Sequence, residues 1–480
     1  MRIRGLKNKK FLAGIAAVLG AAALVAACGG GGSDASLGSL VTPSTTGTST
    51  PATTPSTTTT ATGSSAPSTG TGTGTGTGSS TTTSGTSSSL PASMLKVKHV
   101  FVITLENKSY ADTFGTSTQD PYLRGTLVPM GALLTQYFGT GHVSLDNYVS
   151  MVSGQPSTLE TQADCTSYDD FQQSGTTTDG LSLPIGTGCV YPTTVKTLPD
   201  QLKATGLTWK GYMQDMGNDP TRESATCGHP ALNTKDLTQT PEAPTASVPA
   251  GDQYASRHNP FMYFHSIVDS PDCATNVVEL NNLTADLSSV ATTANFTFIT
   301  PNLCNDGHDG DGTGAAGKGC VNGNPGGLTS SDSFLQTWIP KIMASPAYQQ
   351  DGLIVINFDE SALTTASPVT DPTTGITTVT ISASGQGCCG QQGGPNVTRP
   401  FVEVIPVSAT LHYELNYQGF GGDQVGAVLI SQFIKPGTVS NTPYNHYSLL
   451  KSLEDIFQVG GYLGYANQPG LVGFGSDIFN

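Results

Sequence analysis

Hydrophobic and polar positions alternate along this chain in blocks that define its elements. The stretch VKHVFVITLE (Val97–Glu106) is apolar at most positions regardless of parity and predicts an internal strand. GLIVINFDE (Gly352–Glu360) repeats the pattern and also ends in acids, while FTFITPNL (Phe296–Leu303) runs into a loop rich in Gly and Asp. FVEVIPV (Phe401–Val407) and GAVLIS (Gly426–Ser431) are further strand candidates. Helical spacing marks Ser144–Gly154, where Leu145, Tyr148, Val149 and Val152 share a face behind Ser144 as N-cap. SFLQTWIPKIMAS predicts a second helix and HYSLLKSLEDIF (His446–Phe457) an amphipathic third. Residues 122–138 are mostly helical in spacing, interrupted by Gly125 and Pro129, and Ala362–Gly394 suggests a β-hairpin excursion. Strands alternating with helices predict an α/β fold: a mostly parallel central sheet, flanked by helices on both faces, with loop and hairpin insertions. In such sheets chemistry gathers beyond the carboxyl ends of the strands.

The first 93 residues do not fit that pattern. Residues 1–28 place five basic residues before an apolar run and predict a secretory signal. The ending LVAAC resembles a bacterial lipobox, with Cys28 as the residue to be lipidated. Residues 29–93 are almost entirely Ser, Thr, Gly, Pro and Ala, a composition that cannot bury enough surface to offset its ordering entropy, so a disordered tether is expected. A folded domain over 94–480 remains. No second long apolar run predicts a spanning helix. The expectation is an exported lipoprotein, membrane-anchored through its N-terminal lipid on the periplasmic or extracellular side.

The formal net charge of −15 becomes −20 without the five basic signal residues, which argues against nucleic acid as a partner. Eight cysteines besides Cys28 form an even set suited to disulfides in an exported chain, and Cys304 with Cys320 would close a plausible short loop.

The strand ends carry the candidate chemistry. Glu106–Asn107 and Asp359–Glu360 each follow an apolar strand, and parallel strands would bring both pairs to one sheet edge. Carboxylates crowded there repel each other unless a cation joins them. An oxygen-rich set suits a divalent ion: Mg, Ca or Mn, with Zn or Fe as alternatives. Each pair could also simply cap a helix or solvate a loop. Ser144, at a helix N-terminus that favours anions, could be a nucleophile or only a cap. Asn147 could donate to a phosphoryl oxygen, and His142 lies close by. NLCNDGHDGDGTG offers His308 among acids but lacks the final glutamate of an EF-hand loop. His446 opens the last helix.

Taken together, HVFVITLENKSYADTFG, GHVSLDNYVSMVSG, PNLCNDGHD, VINFDE and GAVLISQFIKPGTVSNTPYNHYSLLKSLEDIF resemble the bacterial phosphoesterase family of acid phosphatases and non-haemolytic phospholipases C, in the alkaline-phosphatase-like fold group. The resemblance implies that Glu106, Asn107, Asp359 and Glu360 are metal ligands and Ser144 the nucleophile. It implies that His142 and Asn147 bind substrate, and that His308 and His446 serve catalysis at the leaving group. Two departures stand out: DESALTT where many relatives have Asp-Glu-His-Gly-Gly, and Asn445 where many have Asp. The implied activity is metal-dependent hydrolysis of phosphate esters through a covalent phosphoserine, of the acid-phosphatase type and extending to phosphoinositides. The alternatives are a phospholipase C-type diesterase and a non-catalytic surface binding lipoprotein.

Overall fold

The computed structural model describes residues 90–116 and 119–479. The expected signal segment with Cys28, and the tether up to residue 89, lie outside the described residues.

Strand β1 (His99–Leu105) is buried at all seven positions, as is β6 (Gly352–Phe358). Successive side chains on a strand point to opposite faces, so complete burial means that both faces of the sheet are covered. The other main-sheet strands are β2 (Ala132–Leu134), β3 (Trp209–Met213), β4 (Val277–Glu279), β5 (Phe296–Thr300), β10 (Ala427–Ser431) and β11 (Thr438–Ser440). Their order is β11-β2-β10-β6-β1-β5-β3-β4. Every neighbouring pair is parallel except those involving β10, which runs against both β6 and β2. The expected mostly parallel sheet is therefore present, with β2, β3, β4 and β11 added beyond the strands read from the sequence.

Helix α1 (Ser144–Ser153) is buried along its whole length and packs against α3 (His446–Phe457). Gly154 ends α1 at φ 67°, a left-handed C-terminal residue whose N–H returns to Ser150 O. Helix α2 (Gly327–Ala344) buries Phe334, Leu335, Trp338, Ile339 and Ile342 on one stripe.

Two expectations change. Ser144 is the first helical residue rather than the N-cap; Val143 precedes it at φ 86°. Residues 122–138 are helical only to Met130, then form β2 and the short strand Tyr137–Phe138. The break falls at Gly131, where a side-chain carbon would sit 2.0 Å from Leu429 O of β10. Sheet contact overrides local helical spacing there.

The hairpin excursion after β6 is part of a second, five-stranded sheet. Strand β7 (Thr377–Ala383) pairs parallel with β9 (Leu411–Tyr417), and β8 (Phe401–Pro406) runs antiparallel to β9. Two-residue strands at Thr364–Thr365 and Val369–Thr370 edge β7. Val379, Ile381, Ala383, Tyr413, Leu415 and Tyr417 form its own core, at alternate positions as a half-buried sheet requires. The structure joins Cys165–Cys189, Cys227–Cys273, Cys304–Cys320 and the adjacent pair Cys388–Cys389.

Candidate active site

Register brings the two acidic strand ends together. Leu105 of β1 lies beside Phe358 of β6, so the residues that follow, Glu106 and Asp359, leave the sheet side by side. Asn107 takes φ 54°, a left-handed conformation that asparagine tolerates. That turn aims its backbone N–H at Asp359 Oδ1 (2.9 Å), which also accepts Glu360 N–H (2.6 Å). Asp359 Oδ2 is buried without a protein partner, and so is Asp306 Oδ2 in the loop after β5.

Glu106 is fully buried and collects donors from three directions. Ser144 Oγ donates to Oε2 at 2.8 Å, Asn107 Nδ2 to the same oxygen at 2.8 Å, and Tyr148 OH to Oε1 at 2.6 Å. His258 Nε2 lies 3.4 Å from Oε1, and its Nδ1 3.7 Å from Asp306 Oδ2. Burial pushes the Glu106 carboxyl up to about 7, the Tyr148 and Ser144 hydrogen bonds pull against it, and Glu360 adds repulsion. Burial and the charge of Glu106 hold Asp306 and Asp359 well above the ordinary carboxylate range. Burial pushes His258 well down, helped by Arg257 and His308.

Ser144 stands at the first turn of α1, where N–H groups lack intrahelical partners and the helix dipole favours an anion. Two features hold that turn. Asp164 accepts Leu145 N–H at 3.0 Å and is paired with the buried Arg257 at 3.5 Å. Val143, a β-branched residue at positive φ, donates its N–H to Glu360 Oε2 at 3.0 Å. Such a conformation costs about 1–3 kcal/mol and persists only where the surroundings impose it.

His142 lies between two carboxylates, Nδ1 2.5 Å from Glu360 and Nε2 3.0 Å from Asp423. Burial alone would lower its pKa, but Glu360 and Asp423 overcome this and lift it to about 10, so the ring is a cation at neutral pH.

The structure thus brings Glu106, Asn107, Ser144, Asp359, Glu360 and His142 together as the sequence suggested. It gives two predicted residues other work. Asn147 spends its amide on the loop before α1: Oδ1 accepts Thr140 N–H (2.8 Å) and Gly141 N–H (3.0 Å), while Nδ2 donates to Gly141 O (3.0 Å) and Val143 O (3.2 Å). The amide that was expected to face substrate is thus bonded to the turn that precedes Ser144. Both ring nitrogens of His446 are engaged, with Tyr137 OH at 3.0 Å and Asp359 O at 2.6 Å. Burial lowers its pKa to about 4, and the ring that was expected at the leaving group is bonded to the backbone of Asp359. His308, at 9% exposure, is the least buried of the four site histidines; the others lie between 0% and 3%.

His258, Asp306, Tyr148, Arg257, Asp164 and Asp423 were not assigned to the site from sequence. Tyr148 read as a core position of α1, and His258 and Asp423 sit in loops with no pattern. Only the scarcity of histidine, eight in the chain, could have drawn attention to His258.

Among the described residues no three His, Cys, Asp or Glu side chains stand as a preformed ligand set. The donor chemistry nevertheless fits a divalent cation: buried carboxylate oxygens on Asp359 and Asp306 have no protein donor, beside a third buried carboxylate.

Fold and site define an α/β protein with a buried serine–carboxylate centre at the carboxyl edge of a mostly parallel sheet. A family model described as Phosphoesterase family matches residues 118–460, well over half of the sequence, and the chain belongs to that family. The match begins after Glu106–Asn107, so the register of β1 on β6 is what ties that pair to it. The chain is similar to a probable acid phosphatase of Kluyveromyces lactis, 22% identical over 55% of this chain and 48% of the relative. It is also similar to a phosphate-repressible acid phosphatase of Penicillium chrysogenum, 24% identical over 49% and 42% respectively. It spans about half or less of the length of these curated relatives. Among solved structures, a protein in the alkaline phosphatase superfamily from Vibrio parahaemolyticus is 13% identical, covering 77% of this chain and 68% of that one at a TM-score of 0.41. So loose a likeness carries no functional argument.

Proposed function

We propose that this protein hydrolyses phosphate esters, monoesters by preference, with Ser144 as nucleophile. The observation that carries the reading is the 2.8 Å hydrogen bond from Ser144 Oγ to a buried Glu106 at the start of α1. A phosphoryl group seated there meets the N–H groups of the first helical turn, and the serine proton already points to a carboxylate. Attack of Oγ on phosphorus would expel the alcohol and leave phosphoserine; water would then release inorganic phosphate and restore the hydroxyl. Among the histidines, His308 is the one whose exposure suits it to protonate the departing alcohol, since His446 is committed elsewhere. Asn147, Asp164 and Arg257 would hold the turn that presents Ser144. The family membership and the names of the relatives, all acid phosphatases, support the ester class.

Glu106, Asn107, Asp359 and Glu360, with Asp306 and His258 beside them, are the residues that would hold a divalent cation. Such an ion, when bound, lowers the pKa of a hydroxyl and polarises a phosphoryl oxygen. Phosphoinositides are the finer substrate expectation. Export with a lipid anchor at Cys28 belongs to the same reading, and the four disulfides support an oxidising compartment.

The test uses p-nitrophenyl phosphate and its phosphocholine diester. Wild type should prefer the monoester, Ser144→Ala should lose at least about a thousandfold in kcat, and a chelator should abolish turnover until one divalent ion is returned. Full activity in Ser144→Ala would remove Ser144 as the nucleophile.

A further inference from the structure

The five-stranded sheet between β6 and β10 has no part in the chemistry above, yet its strand β9 runs back into the site. Tyr417, the last residue of β9, is 3% exposed. Six residues later Asp423 accepts from His142 Nε2. The Tyr417 ring lies 6.3 Å from the His142 ring, with the planes 32° apart. Its hydroxyl oxygen is buried, with no protein group in hydrogen-bond reach. The ring stands against a residue, His142, that itself contacts Glu360 and Asp423, and after burial the charges that bear on the phenol most are those of Glu360, Arg399, Asp146 and Asp164. Burial and those carboxylates raise its pKa, so it stays a donor.

The side chain is held in that pose. The Arg399 guanidinium carbon stands 5.4 Å from the Tyr417 ring centroid and 5.8 Å from that of Phe401, while Nε donates to Gly419 O (3.1 Å) and Nη1 to Thr398 O (2.9 Å). A well-held hydroxyl buried without a partner is costly to folding alone. A phosphate ester, all acceptors on its phosphoryl oxygens, is the complement of such a donor.

We propose that Tyr417 is a substrate-binding residue supplied by the inserted sheet, its hydroxyl donating to an oxygen of the bound phosphate ester and Arg399 fixing the ring while adding positive charge on that side. This rests on the phosphoesterase reading and extends its site to the second sheet. A Tyr417 that only packs would behave differently, because phenylalanine fills the same space.

The experiment compares wild type, Tyr417→Phe and Arg399→Gln on p-nitrophenyl phosphate, with orthophosphate as competitive inhibitor and thermal melting alongside. Tyr417→Phe is expected to lose about tenfold in kcat/KM and to weaken phosphate inhibition by a similar factor. Its melting temperature should hold or rise, since the group removed has no protein partner. Arg399→Gln should lose about threefold in kcat/KM. Unchanged kcat/KM and inhibition in folded Tyr417→Phe overturns the proposal, and so does a loss accompanied by a fall in melting temperature. If Tyr417→Phe does not fold, Arg399→Gln decides: a loss supports the proposal and full activity overturns it. A wild type that neither hydrolyses the ester nor binds phosphate would defeat the phosphoesterase reading itself, whereas an active wild type with indifferent variants defeats only this inference.

Discussion

Asn147→Ala separates two roles for one buried amide. If Asn147 touches substrate, its loss raises KM and leaves the fold alone. The geometry assigns it to the loop, where it pairs two backbone N–H groups and two carbonyls while itself fully buried. Each backbone group left unpaired costs about 1–3 kcal/mol. Water entering the space would re-pair some of the four, so a net loss of roughly 3 kcal/mol is expected. A folded part of roughly 390 residues has an unfolding entropy near 0.8 kcal/mol/K, so the melting temperature should fall by about 4 °C. The activity effect follows from Val143. Asn147 holds the carbonyl of Val143, whose φ is positive, and relaxation there would carry Ser144 away from Glu106. Misplacing a reacting group by about 1 Å costs on the order of a hundredfold, expected in kcat with KM nearly constant. Steady-state kinetics on p-nitrophenyl phosphate with calorimetric melting reads both quantities. An unchanged melting temperature with a raised KM would return Asn147 to substrate binding and refute the argument.

The remaining expectations concern the frame around the site. Burial, with Asp332 close by, lifts Asp120 to about 8, and burial lifts Glu454 to about 8. A folded pKa above the unfolded one means stability is gained as pH falls from about 8 toward 4 and lost as pH rises through 8, so the protein should melt higher at pH 5 than at pH 8.5, and Asp120→Asn should flatten that dependence. Gly154→Ala forces alanine to φ 67° and sets its Cβ 2.3 Å from Leu463 O; a loss of about 2–3 kcal/mol is expected by chemical denaturation. Removing the Cys304–Cys320 link with a Cys304→Ser, Cys320→Ser pair opens a loop of sequence separation 16 and should cost about 3 kcal/mol. Because Asp306 and His308 ride on that loop, kcat should fall with it, and an unaffected kcat would show that the loop needs no staple to hold them.

Much of the frame was legible because it is written in local pattern. Apolar runs such as FVITL and LIVINF admit only buried strands, and a strand that must leave a covered sheet shows its exit by turning polar, as at Glu106 and Asp359. The periodicity of His446–Phe457 named its helix to the residue. Strands β3 and β4 escaped because WKGYM and VVE are short and mixed, and become strands through pairing with β5 and with each other. Gly131 broke an apparent helix for a reason visible only where β10 passes it.

The site divides along the same line. Residue type and position at the strand ends and at the start of α1 are enough to nominate Glu106, Asn107, Ser144, Asp359 and Glu360, since the chemistry of oxygen donors beside a hydroxyl needs no coordinates to be recognised. Which nitrogens and oxygens remain available is another matter. A hydrogen bond is made or missed within a fraction of an ångström, and its partner is set by how the whole chain packs. Only the packed chain could spend Asn147 on its own loop, turn His446 to the back of Asp359, and bring His258 and Asp423 in from loops with no periodicity to betray them.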